Sequence, residues 1–127
     1  MRLLLDTHVL LWWLADDRRL KSPERDAIAA AESTIYVSAA TIWEIAIKTE
    51  LGRLDVDTEA LERELTSGGL LELPVRWAHA RTAGALPNHH GDPFDRLLLA
   101  QAKTEALTLV SYDVRFREYG LPLLPAR

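Results

Sequence analysis

The chain contains no cysteine. Disulfides, zinc–thiolate centres and thiol catalysis are therefore excluded, and the composition fits a reducing compartment, so a cytoplasmic location is expected. No apolar run approaches the length of a membrane span. Arg2 followed by leucines has a passing likeness to a secretory leader. Asp6 and His8 break that run and Asp16-Asp17 follows, so no leader is read there. Internal repeats, linkers and low-complexity tracts are missing too, and 127 residues predict one domain spanning 1–127 around one core. An excess of positive charge is also lacking. The 15 basic residues against 19 acidic ones give a net charge of −4, which argues against a generic nucleic-acid-coating protein. Four carboxylates set aside around bound cations would leave 15 charges of each sign, so overall charge decides little about a local site.

What is present is a 48% hydrophobic sequence with the alternation of an α/β protein. Leu3, Leu4 and Leu5 form a short unbroken apolar run, as in a strand buried on both faces. Asp6 and Thr7 interrupt it, and from Val9 the apolar residues Val9, Leu10, Trp13 and Leu14 continue as a helix face. Asp6 thus stands where a strand ends and a helix begins, the edge at which open α/β sheets bind ligands. Capping of the helix by Asp6 or Thr7 is the competing explanation.

Further along, Ser22 and Pro23 read as N-cap and first residue of a helix. Residues 34–38 are β-branched and aromatic, a second strand, and Ser38 starts a helix to about Leu51 with Gly52 as its stop. Asp57 opens another helix that ends near Gly68-Gly69, residues 70–73 form a third strand closed by Pro74, and a helix runs through Trp77, Ala80 and Ala83. Residues 84–91 are rich in Gly, Pro and Asn and read as a loop. Asp92 then caps a strong helix with Pro93 at its first position and Asp95 at its third. Residues 108–111 are a fourth strand, Asp113 starts a short helix, and residues 121–124 suit an edge strand because an edge tolerates Pro122. Strands alternating with helices imply βαβ units and a mostly parallel sheet.

Four acidic residues stand out: Asp6 and Asp113 after strands, Asp95 at a helix start, and Glu44 inside the apolar helix segment IWEIAI. A parallel sheet gathers strand ends and following helix starts on one edge, so all four can converge there. Each also has a structural explanation: capping for Asp6, Asp92, Asp95 and Asp113, and an i,i+4 ion pair with Lys48 for Glu44. Jointly they suggest more. Clustered carboxylates repel and raise one another's pKa values. A hard dication such as Mg²⁺ or Mn²⁺ removes that penalty and supports hydrolysis of phosphodiesters. Arg96 and Arg115 are placed to meet phosphates, whereas surface charge is favoured for Arg117. His79 reads as a helix surface residue, His89-His90 as part of an exposed polar loop with contact to a substrate as the alternative, and His8 as a neighbour of the site without an assigned role.

The segments LLLDTHVLLW, VSAATIWEIAIK, HHGDPFDRLLLAQA and TLVSYDVRF, in this order and spacing, resemble the PIN domain family, and more narrowly VapC-type toxins of toxin–antitoxin pairs. The likeness spans nearly the whole chain. It implies an α/β fold, a three-layer α/β/α PIN-like sandwich with a central, mostly parallel sheet of four to five strands. It also implies a Mg²⁺- or Mn²⁺-dependent endoribonuclease, usually a homodimer, silenced by a VapB-type antitoxin. Asp6, Glu44, Asp95 and Asp113 match the family's four acidic positions, and Thr7 and Ser111 match small hydroxyl positions beside the site. Two rivals remain: a PIN module that binds RNA or a partner without turnover, and a phosphoryl-transfer protein of receiver or phosphatase type. Glu44 within an apolar helix and the DPFDR helix start fit the latter poorly. Trp12, Trp13 and Trp43 offer apolar surface for a partner helix, with the core as the alternative destination.

Overall fold

The computed structural model describes residues 1–126, and Arg127, at the end of the expected domain, lies outside the described residues. Five strands, β1 (Arg2–Leu5), β2 (Thr34–Ser38), β3 (Leu71–Leu73), β4 (Thr108–Val110) and β5 (Leu123–Leu124), form one sheet in the order β3-β2-β1-β4-β5. Every neighbouring pair is parallel. The leucine run makes β1 the central strand, and period-two alternation divides its side chains between two cores. Leu3 and Leu5 point to one face and Leu4 to the other, all fully buried. Such burial contributes about 1.5–3 kcal/mol per leucine.

On the Leu3/Leu5 face lie α1 (Thr7–Leu14), α2 (Ser22–Ala29), α3 (Ala39–Glu50) and α4 (Thr58–Ser67), which supply Val9, Leu10, Ile28, Ile45, Leu61 and Leu65 to the core. On the Leu4 face lie α5 (Trp77–Ala85) and α6 (Pro93–Glu105), the latter contributing Leu98, Leu99 and Ala102. The result is the expected three-layer α/β/α sandwich. A 3₁₀ helix (Val114–Tyr119) leads from β4 to the edge strand β5. There Pro122 uses only its carbonyl, which accepts from the Leu109 N–H at 3.0 Å. No helix among the described residues is long and apolar enough to cross a membrane.

One local reading is resolved and two are corrected. Helix α1 begins at Thr7 with Asp6 as its N-cap, which decides between the two capping candidates. Helix α2 is preceded by Lys21, so Ser22 is its first residue rather than its cap. The Lys21 N–H donates instead to the Tyr112 hydroxyl at 2.8 Å, which anchors the helix start from across the fold. Gly84 belongs to the last turn of α5, so the loop before Asp92 is shorter than its composition suggests.

The sheet order locates the site. Successive connections run outward from β1 through β2 to β3, then return across the sheet to β4 and outward to β5. The switch point lies between β1 and β4, and a crevice at the carboxyl ends of these strands is the expected ligand position.

Candidate active site

At that crevice a cavity of about 400 Å³ is lined by Asp6, Thr7, Glu44, Asp95, Asp113 and Arg115, together with His8, Trp12, Lys48, Asp92, Tyr112 and Phe116. All four acidic residues singled out in the sequence therefore reach one cavity.

Asp6 caps α1, its Oδ1 accepting from the Val9 N–H at 2.8 Å, and its side chain is almost wholly buried. Capping and membership of the acidic cluster are thus properties of the same carboxylate. Burial pushes its pKa up, the Ser111 hydroxyl and the Val9 N–H pull it back, and Asp113 adds to the upward push. Ser111 is buried, and its Oγ also accepts from the Asp113 N–H at 3.1 Å, so it braces two of the acids while standing outside the cavity wall.

Glu44 projects from α3 and is likewise buried. The Thr7 hydroxyl donates to its Oε1 at 2.5 Å, and Lys48 Nζ meets its Oε2 at 2.8 Å. The i,i+4 pair expected from the sequence exists, and it holds Glu44 at the cavity.

Helix α6 starts as the sequence requires. Asp92 Oδ1 accepts from the N–H groups of Phe94 (2.8 Å) and Asp95 (3.1 Å), and the Asp95 side chain is left to face the cavity. Asp95 is pushed up to about 6, chiefly by burial and then by Asp92, with the His90 ring opposing and Glu44 and Asp113 reinforcing the shift. Asp113 behaves oppositely. Arg115 grips it in a fork, Nε to Oδ1 at 3.0 Å and one terminal nitrogen to Oδ2 at 2.8 Å, and this holds the carboxyl below its usual range.

Two basic residues named from the sequence part company. Arg115 lines the cavity. Arg96 does not, and its reading as a phosphate ligand is corrected. Its terminal nitrogens donate to the carbonyls of Ala83 (2.7 Å), Leu86 (3.0 Å), Pro87 (3.1 Å) and His90 (3.2 Å), so the guanidinium ties down the loop before α6.

The histidines show what the sequence reading missed. His90 is only 4% exposed. Its Nε2 lies 2.8 Å from Asp95 Oδ2 and 3.5 Å from Asp113 Oδ2, aligned with neither as a hydrogen bond. One potential ligand atom from each of His90, Asp95 and Asp113 falls within 4.8 Å of the others. The available signal was spacing: once Asp92 is fixed as the cap, residue 90 sits two places upstream, against the first turn. His89 is exposed and meets the Tyr119 ring edge-on. His79 is buried rather than superficial. Its Nδ1 accepts from the Arg76 N–H at 2.9 Å and its Nε2 meets Glu105 at 2.9 Å, so it braces the start of α5.

The donor set is oxygen-rich, and two of its carboxylates, Asp6 and Asp95, have raised pKa values, so a hard divalent cation fits it and would relieve the crowding.

Comparison with known proteins agrees with this picture. The PIN domain family profile matches residues 3–121. Ribonuclease VapC22 of Mycobacterium tuberculosis is 33% identical over 121 residues, covering 94% of this chain and 92% of that protein. Among solved structures, VapBC2 from Rickettsia felis, bound to a DNA fragment from its promoter, superposes with a TM-score of 0.74 at 18% identity, covering 97% of both chains. The sarcin–ricin loop cleaving toxin VapC20 of M. tuberculosis superposes with a TM-score of 0.68 at 14% identity, covering 94% of this chain and 95% of that one. At these identities the structural matches establish the fold.

Proposed function

Since this chain belongs to the PIN domain family, we propose that it is a metal-dependent endoribonuclease acting as a VapC-type toxin. The observation that carries the reading is the convergence of Asp6, Glu44, Asp95 and Asp113 on one cavity at the sheet's switch point. Its 33% identity to a ribonuclease over nearly its full length supports the same activity.

Asp6, Asp95 and Asp113 would hold Mg²⁺ or Mn²⁺, with Glu44 completing the set. When bound, the ion supplies an activated water and offsets charge on the phosphoryl group under attack. The remaining work falls to the chain itself. Thr7 and Lys48 fix the orientation of Glu44, and Ser111 braces Asp6 and Asp113. Arg115, half-exposed at the rim and already forked onto a carboxylate, is suited to a phosphate oxygen of RNA.

The chain is read as one domain, located in the cytoplasm, forming a homodimer and neutralised by a VapB-type antitoxin. Trp12 and Trp13 pack partly into the core, whereas Trp43 is 63% exposed against the edge of Phe94 and remains available to a partner. Incubation of purified protein with structured RNA and Mg²⁺ or Mn²⁺ tests the activity: internal cuts that EDTA abolishes are expected. RNA binding without any cleavage in either metal would instead return the chain to a non-catalytic binding module.

A further inference from the structure

The cavity has two chemically different sides. Helix α3 and the start of α6 contribute only charged side chains to it, Glu44, Lys48, Asp92 and Asp95. The aromatic rings come instead from α1 and from the segment that follows β4. His8 and Trp12 are four residues apart on α1 and so share one face of that helix. Their ring centroids lie 5.9 Å apart. Tyr112 continues the row, its ring 5.9 Å from that of Trp12. The row begins two residues after Asp6 and ends one residue before Asp113, so the same two elements carry the rings and two of the acids.

The row is held firmly. Trp12 and Tyr112 are half-buried and pack against the Leu3/Leu5 core. The Tyr112 hydroxyl accepts from the Lys21 N–H at 2.8 Å and donates to the buried Glu24 carboxylate at 2.5 Å. With that proton committed to Glu24, what Tyr112 offers the cavity is its ring. The Arg19 guanidinium lies over Trp12, 5.1 Å from the ring centroid, and Asp17 grips it through contacts of 2.7 and 3.1 Å. Packing into the core accounts for the buried parts of Trp12 and Tyr112. It does not account for His8, which is exposed and belongs to neither core yet stands in line with them along the cavity.

We propose that this row is a nucleobase subsite: the base of a nucleotide adjoining the phosphate at the acidic cluster stacks on the rings of His8, Trp12 and Tyr112. The inference rests on the ribonuclease reading of the cavity. Aromatic faces hold the bases of single-stranded RNA by stacking, whichever base is present, because every base has a π-face. A protein segment could also cover aromatic rings. These rings line the same cavity as the acids, however, which places them within a nucleotide's reach of the phosphate. The subsite also explains how a chain of net charge −4 can hold RNA, since part of the affinity comes from ring faces rather than from basic side chains.

The test is fluorescence anisotropy of a labelled short single-stranded RNA and of its abasic counterpart, which keeps every ribose and phosphate but lacks the bases. Both are titrated with the intact chain in EDTA, so that no cleavage intrudes. Wild type should bind the RNA at least about fivefold more tightly than the abasic strand, the low end for one stacked base. Trp12→Leu keeps an apolar side chain against the core and removes the ring. It should bind the RNA about 5- to 150-fold more weakly than wild type and the abasic strand nearly as well. Trp12→Phe should retain most of the RNA affinity. Equal affinity of wild type for the two strands would overturn the inference, and that result needs no variant to fold. An equal loss on both strands in Trp12→Leu would overturn it too, as would unchanged RNA affinity, which would leave the row to a protein partner. In each case internal cuts by wild type in Mg²⁺ would keep the ribonuclease reading standing. A wild type that neither binds nor cuts RNA would overturn both.

Discussion

Thr7 and Glu44 are 37 residues apart in sequence, yet the Thr7 hydroxyl donates to Glu44 Oε1 at 2.5 Å and joins the β1–α1 junction to α3. Both residues are buried, so the bond has no ready replacement in water. Thr7→Val should leave a buried carboxylate oxygen without its donor and cost about 1–3 kcal/mol in urea unfolding. Thr7→Ser should restore most of that stability. Cleavage should fall in Thr7→Val and persist in Thr7→Ser.

The two acids at the start of α6 should respond in opposite ways. Asp95 is pushed up to about 6, above its ordinary value of 3.8. The fold therefore favours the protonated form, and the associated stability is complete below about pH 4 and lost as pH rises through about 6. Asp95→Asn should abolish cleavage yet make the metal-free protein more stable at pH 7.5, by up to about 3 kcal/mol, with the gap closing by pH 4. Asp92→Ala removes the cap and should cost about 0.5–2 kcal/mol while retaining substantial cleavage. Thermal unfolding across this pH range, paired with cleavage rates, checks both.

Arg96 and Arg115 should likewise separate. Arg96→Ala should release the loop of residues 86–91 and speed its amide hydrogen exchange at least tenfold. Arg96→Lys should not rescue it, because one ammonium cannot reach carbonyls spread from Ala83 to His90. Arg115 is 58% exposed, and Arg115→Ala should leave stability nearly unchanged. Its effect should appear instead as a raised KM for RNA.

Periodicity and capping chemistry made much of this molecule legible in its sequence. The leucine run marked β1, Gly52 and Gly69 stop α3 and α4 with positive φ, and Asp92-Pro93 set the start of α6 to the residue. Because a parallel sheet collects its strand ends on one edge, local signals were enough to bring Asp6, Glu44, Asp95 and Asp113 to one cavity. The residues misread were those whose partners are distant or belong to the backbone. Arg96 is satisfied by carbonyls of a loop with no periodic signature and His79 by a glutamate 26 residues away, while the His90 ring lies against acids from two different elements. Composition marks such a loop as polar but does not show which of its side chains turn inward.

The most direct test of the account is cleavage of a structured RNA by the wild-type protein and by Asp6→Asn, each in Mg²⁺, in Mn²⁺ and in excess EDTA, with folding checked by circular dichroism. Asp6 is the carboxylate at the end of the central strand, where the sheet order reverses. The account predicts internal cuts by the wild type in either metal, none in EDTA, and at least a hundredfold slower cutting by a folded Asp6→Asn. Undiminished cleavage by the wild type in EDTA, or wild-type rates from Asp6→Asn, would contradict it.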